Sequence, residues 1–242
     1  MLSVVMPAHN EAGYLETAVR EVHGGLCARG HDIEVLVVEN GSTDDTRAIA
    51  LRLADELPSV RVSSRAAADY GAALRDGVLA SEGEFVVTFD VDYYDLGFVD
   101  RALELLGGGG DAPVIVVGSK RAPGARDERV WPRRFVTMVF SGLVRVVFSL
   151  SVSDTHGMKA MRRASVEPLV ADCRFRTDLF DTELVIRAER AGLVTAELPV
   201  TAQERRPSRT PIWRRVPRTL VGMLELRLTL WREGRSVGRR SA

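Results

Sequence analysis

Short apolar runs and helical stripes alternate along the first half of the chain. Leu2–Met6, Ile33–Val38, Val60–Ser63, Phe85–Phe89 and Val114–Gly118 have the length and β-branched content of buried strands. Between the first two, Glu11–Leu26 places Leu15, Ala18, Val19, Val22 and Leu26 at helical spacing. A second helix is expected to run to about Glu56, with Ser42 or Thr43 as its cap and acidic residues in its first turn. A third spans Tyr70–Ser81 with a small face at Gly71, Ala72 and Ala73, and a fourth covers Leu96–Leu106 before four consecutive glycines. This rhythm predicts an α/β fold, a mostly parallel sheet with helices on both faces.

The second half is less regular. Ser119–Arg134 reads as a polar, Arg-rich loop, Phe135–Leu150 as an amphipathic helix and Gly157–Met161 as a short strand. Thr182–Ala191 reads as a helix, Val194–Leu198 as a last strand and Gln203–Thr210 as a basic loop. Val216–Trp231 then carries Leu220, Leu224, Leu228 and Trp231 along one helix. The stretch from Phe135 to Val152 is apolar enough to resemble a membrane span, but Arg145 interrupts its centre. An arginine there costs about 2.5–3.5 kcal/mol on insertion, so the segment is read as interfacial. The expected division is residues 1–210 as one domain and 211–242 as a basic amphipathic extension.

Composition changes this picture little, and charge distribution changes it more. With 242 residues, 45% of them hydrophobic and 27% charged, the chain is an ordinary globular protein, excluded from the disordered and fibrous classes. Formal net charge is zero, yet from Arg205 onward eleven Arg face only Glu225 and Glu233, a net of +9 on an otherwise acidic body. Such a tail suits phosphate or an anionic surface. Nucleic acid is not expected, since no recognition module accompanies the arginines. Two cysteines give no disulfide framework and fit a reducing, cytoplasmic compartment. The opening residues read as a strand and not as a signal peptide.

The chemistry concentrates at Asp90-Val91-Asp92, two carboxylates one residue apart at the end of a buried strand. Ligands of open α/β sheets sit outside the carboxyl ends of strands. Two carboxylates there can hold a hard divalent cation, and that cation a diphosphate; the plain alternative is a solvated turn before a helix. No Gly-x-Gly-x-x-Gly follows the first strand, which argues against a dinucleotide enzyme.

Taken in order, several stretches resemble the family 2 glycosyltransferases with a GT-A fold, above all the polyprenyl- and dolichyl-phosphate sugar synthases. They are Ser3–Glu11, Val37–Thr46, Tyr70–Gly77, Asp90–Asp92, Ser153–Lys159 and Phe180–Leu184. The resemblance implies a hexose moved, with inversion, from a nucleotide sugar of the GDP-mannose or UDP-glucose type to a polyprenyl phosphate. It implies Mg²⁺ or Mn²⁺ at Asp90 and Asp92, and donor-nucleotide contacts from Pro7, Asn10, Glu11, Glu39, Asn40, Ser42, Tyr70 and Asp90. Asp181 or Glu183 would face the sugar or acceptor, although both also suit the positive end of a helix dipole. The chain departs from the family at Glu39-Asn40, where Asp-Asp is usual, and at Tyr94, where a Gln is common. Asp95 or water is expected to compensate at Tyr94. His156 is not expected to act as a base.

A lipid phosphate is already anionic near neutral pH, so an acceptor of that kind needs no general base. It needs positioning and cations. Arg121, Arg133 or Arg134, Arg205, Arg206 and Arg209 can supply them, and Ser208-Arg209 matches the Ser-Lys pair of the synthases. The two amphipathic stretches with their arginines are expected to hold the protein peripherally at the inner face of the cell membrane. The competing readings are the same fold acting on a soluble acceptor or secondary metabolite, and a scaffold that binds without turnover. Oligomeric state is left open by the sequence.

Overall fold

The computed structural model describes residues 1–128, 131–155, 157–175, 179–202 and 212–238. In chain order the elements are β1 (Leu2–Ala8), α1 (Leu15–Ala28), β2 (Ile33–Asn40), α2 (Thr46–Glu56), β3 (Val60–Arg65), α3 (Tyr70–Ala80), β4 (Phe85–Thr88) and α4 (Leu96–Leu106). There follow β5 (Ile115–Ser119), β6 (Arg126–Asp127), α5 (Trp131–Phe148), β7 (Lys159–Arg162), α6 (Arg163–Asp172), α7 (Phe180–Arg190), β8 (Thr195–Pro199), β9 (Thr201–Ala202) and α8 (Ile212–Gly238).

The expected mostly parallel sheet is present, with strand order β3-β2-β1-β4-β7-β5-β8. β1 pairs in parallel with both β2 and β4, while β7 runs antiparallel between β4 and β5. The chain therefore winds outward from β1 to β3 and then returns to the other side of β1. That reversal between β1 and β4 is a topological switch point, where a crevice opens at the carboxyl ends of the strands. Side chains on β1 alternate between the faces, as the period of two requires. Val4 and Met6 join a core with α1, α2 and α4, whereas Val5 joins one with α3, α6 and α7. A third cluster, of Val144, Leu150, Leu179, Ile186, Met223, Leu226 and Leu230, packs α5 and α8 against α7.

Helix starts differ most from the sequence expectation. α1 begins at Leu15, because Glu11 closes a turn in which its carbonyl accepts from Tyr14 and Leu15 N–H. Neither Ser42 nor Thr43 caps α2; the N-cap position is Asp45, without a side-chain hydrogen bond, and Asp44 braces the helix start, its Oδ1 accepting from Thr46 N–H at 3.0 Å while Oδ2 accepts from Ala12 N–H. α5 begins at Trp131, four residues early, and the loop before it contributes β6, which pairs with β9. α6 was concealed by Pro168 in its interior, a residue that normally breaks helical periodicity.

Candidate functional site

Three chain segments converge on the switch point. The loop after β1 carries Asn10 in the left-handed region, φ 55°, which short polar side chains tolerate. Its Oδ1 accepts from Thr43 N–H at 2.8 Å, and its own N–H donates to Ser42 Oγ. Buried Glu11 donates its N–H to Thr46 Oγ1 at 2.7 Å. In the loop after β2, Glu39 Oε1 accepts from Ser42 N–H and Asn40 Oδ1 accepts from Asp69 N–H. Gly41 sits between them at φ 66°, where a Cβ would stand 2.9 Å from the backbone at Ala67 and Ala68. The two loops are thus built from hydrogen bonds to each other, with Pro7 buried beneath them.

The third segment is the end of β4. Tyr70, at the start of α3, donates its hydroxyl to Asp90 Oδ1 at 2.8 Å. Removal of the Asp90 carboxyl from water pushes its pKa up to about 6, against the pull of the Tyr70 hydrogen bond. The negative charges of Asp92 and Asp181 push the same way, and Lys120 opposes them. Asp90, Asp92, Asp181 and Lys120 therefore share one electrostatic neighbourhood. Lys120 lies over the Tyr93 ring, 5.1 Å from its centroid.

Asp181 and Glu183 separate clearly. Asp181, in the first turn of α7, is 4% exposed and receives Lys159 Nζ at 2.7 Å. Glu183 is fully buried, and its Oε2 accepts from Arg174 and Phe175 N–H at 2.9 and 2.8 Å. Its Oε1 pairs with Arg187, which reaches Glu233 of α8 at 3.0 Å. Glu183 thus fastens a loop and two helices together. Asp95 does not stand in for the missing Gln: its carboxylate caps α4 through Phe98 N–H and meets Arg101. Tyr94 reaches out to Glu21 of α1 instead.

Arg121 and Arg134 are exposed. Arg205, Arg206, Ser208, Arg209 and His156 lie outside the described residues, as do the side chains of Arg133, Arg214, Arg215 and Arg218. Sequence reasoning passed over Lys120 and Lys159. Lys159 carries a signal of its own, a charged residue in an apolar strand, which needs a buried partner.

Among the described residues no group of three or more His, Cys, Asp or Glu is arranged to hold a metal by itself. Asp90 and Asp92 offer oxygen donors only, which suits Mg²⁺ or Mn²⁺ with the remaining positions taken by phosphate and water. A cleft of ≈ 550 Å³ is lined by Arg29, Tyr93, Tyr94, Asp95, Leu96, Gly97 and Thr201, and neither Asp90 nor Asp92 is among its lining residues.

The profile described as Glycosyl transferase family 2 matches residues 3–169. The chain is 32% identical to glycosyltransferase AglD of Haloferax volcanii over 95% of its length, spanning 37% of that longer protein. It is 28% identical to a dolichyl-phosphate beta-glucosyltransferase of Trichomonas vaginalis, covering 84% of this chain and 66% of the relative. An undecaprenyl-phosphate 4-deoxy-4-formamido-L-arabinose transferase of Pseudomonas aeruginosa is 30% identical, with 85% of this chain and 58% of the relative covered. Among solved structures, glucosyl-3-phosphoglycerate synthase of Mycobacterium tuberculosis, bound to Mn²⁺, UDP-glucose and phosphoglyceric acid, superposes with a TM-score of 0.63. That match has 24% identity and covers 86% of this chain and 72% of that one. This likeness identifies the fold as GT-A.

Proposed function

The chain belongs to the family 2 glycosyltransferases, and on that premise we propose that it moves a hexose from a nucleoside-diphosphate sugar to a polyprenyl phosphate, with inversion. The observation that carries this reading is the Asp90-Val91-Asp92 turn after β4 at the switch point beside β1, where Tyr70 donates its hydroxyl to Asp90 Oδ1 at 2.8 Å. Relatives named for dolichyl-phosphate and undecaprenyl-phosphate transfer support the acceptor class.

Asp90 and Asp92 would hold Mg²⁺ or Mn²⁺. When bound, that cation takes up charge on the leaving nucleoside diphosphate. Tyr70 holds Asp90 in place through its hydroxyl. Pro7, Asn10, Glu11, Glu39, Asn40 and Ser42 form the nucleotide wall. Glu39 bonds within its own loop and Asn40 to the loop before α3, so they contribute its shape as well as its polar edge. Asp181 faces the sugar. Lys120, whose charge acts on Asp90, joins the acceptor-phosphate group, with Arg121, Arg134, Arg205, Arg206, Ser208 and Arg209 drawing the anion in. An acceptor oxygen that is already anionic attacks once it is held in line, which asks for positioning and not for a base.

Residues 1–210 would form the catalytic domain and 211–242 an extension toward the membrane. No described helix is long and apolar enough to cross a bilayer. α5 turns Trp131, Phe135, Met138, Val139 and Val146 outward, and α8 turns Leu220, Val221, Leu224, Leu228 and Trp231 outward. Arg134, Arg145, Arg227 and Arg232 are exposed on the same helices, each worth about 1 kcal/mol near an anionic leaflet. These two features support peripheral contact with an anionic membrane surface, which the proposal puts at the inner face of the cell membrane.

Purified protein with UDP-glucose or GDP-mannose, Mg²⁺ or Mn²⁺, and polyprenyl phosphate in detergent or liposomes tests the proposal. A lipid-linked sugar is the expected product. Transfer to a soluble phosphorylated acceptor with none to lipid would overturn the acceptor assignment and leave the donor half standing.

A further inference from the structure

Lys159 is 1% exposed, and burying an ammonium that deep costs several kcal/mol before any partner is counted. It lies on β7, opposite Thr88 of β4 and Val117 of β5. It therefore stands between the strand that ends in Asp90 and the strand that leads to Lys120. Its Nζ donates to Asp181 Oδ1 at 2.7 Å and to the Gly157 carbonyl at 2.9 Å. Gly157 is itself tightly placed: φ is 132°, and a Cβ there would meet Gly118 O at 3.2 Å and Lys120 Nζ at 3.7 Å. One ammonium thus ties three things together: the first turn of α7, the loop preceding β7, and the neighbourhood of Lys120.

Stability alone is a poor reason for such a pair. Well-packed apolar residues in place of a buried ion pair are often as stable or more so. What the pair does supply is a fixed direction for the Asp181 carboxylate, whose charge is felt at Asp90. An Asp181 that faces a sugar must be held as an oriented anion in a site that already contains two carboxylates. A buried cation behind it makes that possible, and a purely apolar neighbour would not.

We propose that Lys159 is a positioning residue for glycosyl transfer: it holds Asp181 and the Gly157 backbone in the arrangement that the reacting sugar meets, without touching the sugar itself. The inference rests on the transferase reading above and adds a residue to it.

A double-mutant cycle in the full chain tests it, with Lys159→Met, Asp181→Asn and the two combined. Turnover is read with the donor and acceptor that wild type uses, donor affinity by calorimetry with Mn²⁺ and UDP-glucose or GDP-mannose, and folding by thermal denaturation. Each single variant is expected to lose about 100-fold in kcat, the size of a small misplacement of a reacting group. The double variant is expected to lose no more than either, because the pair acts as one unit. Donor affinity should change by less than about threefold throughout, a split between kcat and binding that a general loosening of the fold would not produce. Losses that multiply to about 10⁴-fold in the double variant would overturn the proposal. So would a Lys159→Met protein that is folded and turns over at the wild-type rate. The double variant, which leaves no lone buried charge, keeps the test readable if Lys159→Met alone folds poorly. A wild-type protein with no metal-dependent affinity for either nucleotide sugar would instead remove the transferase reading itself, and with it this one.

Discussion

The two halves of the sheet solve different problems. From β1 to β4 the strands are parallel, and the loops at their ends are satisfied by one another, through Asn10 with Thr43, Glu39 with Ser42 and Asn40 with Asp69. This half is closed by its own side chains and presents a finished wall. From β5 to α8 the order is broken by antiparallel β7, and the closing contacts are ionic: Lys159 with Asp181, and Glu183 with Arg187 and Glu233. Its helices α5 and α8 bury one apolar face in the core and turn a second one outward. Under the proposed function, the half that completes itself would meet the small, water-soluble donor, and the half that leaves apolar surface uncovered would meet the lipid acceptor.

The largest effect expected on the first half comes from Asp92→Ala. Removing a carboxylate that would ligate the cation should weaken Mn²⁺-dependent binding of UDP or GDP by at least about 100-fold, more than the loss of an outer-shell partner. Asp92 is half-buried at a strand end and outside the three core clusters, so thermal stability should hardly move. Calorimetry on the two proteins decides it, and unchanged affinity would break the donor side of the comparison.

On the second half the matching substitution is Glu183→Ala, and here stability should fall while Asp92→Ala leaves it intact. The change strips two backbone N–H groups, at Arg174 and Phe175, of their acceptor and leaves Arg187, 11% exposed at its side chain, with Glu233 alone. Breaking a buried charge network by one partner costs about 3–5 kcal/mol, which a urea titration would register as a lower midpoint at nearly constant slope. A loss below 1 kcal/mol would mean that α7 and α8 are held by their apolar contacts and that the ionic description of this half is wrong.

The contrast between the halves also sets how much could be read from the sequence. In the first half local pattern and tertiary role agree. Apolar runs became strands within a residue or two, and Leu96–Leu106 matched α4 at both ends. The start of α2 was misread because it depends on geometry across loops: Asp44, with oxygens on both Thr46 and Ala12, holds the turn before the helix, while Ser42 and Thr43 bond to Asn10. In the second half the decisive partners are far apart in sequence. Asp181 and Glu183 look equivalent two residues apart on a helix start, and only the fold sends one to Lys159 and the other to Arg174, Phe175 and Arg187. Asp95 looked like a spare ligand until its cap to Phe98 N–H was visible. Lys120 was overshadowed by the Arg beside it, since one-dimensional reading cannot tell which of two adjacent cations lies over the Tyr93 ring and acts on Asp90.

The smallest expected effect on folding is also the sharpest test of why the second half leaves apolar surface exposed. Val146 on α5 and Leu224 on α8 are 80% and 64% exposed, while their neighbours Val144 and Leu226 are 1% and 0% exposed within the third core cluster. If the outward stripe exists only because helix-forming apolar residues were tolerated there, Val146→Glu with Leu224→Glu should do nothing measurable. Surface changes of that kind stay within about 0.5 kcal/mol. If the stripe meets a bilayer, stability should be equally untouched, but flotation with anionic liposomes should fail. Carboxylates would then enter the interface, where apolar contact and Arg attraction had favoured binding. Raising the salt should weaken wild-type flotation without abolishing it, because screening removes the arginine contribution and leaves the apolar one. A doubly substituted protein that floats as well as wild type would show that the outward stripe is not the contact surface. The difference between the halves would then rest on β7 and its ion pairs alone.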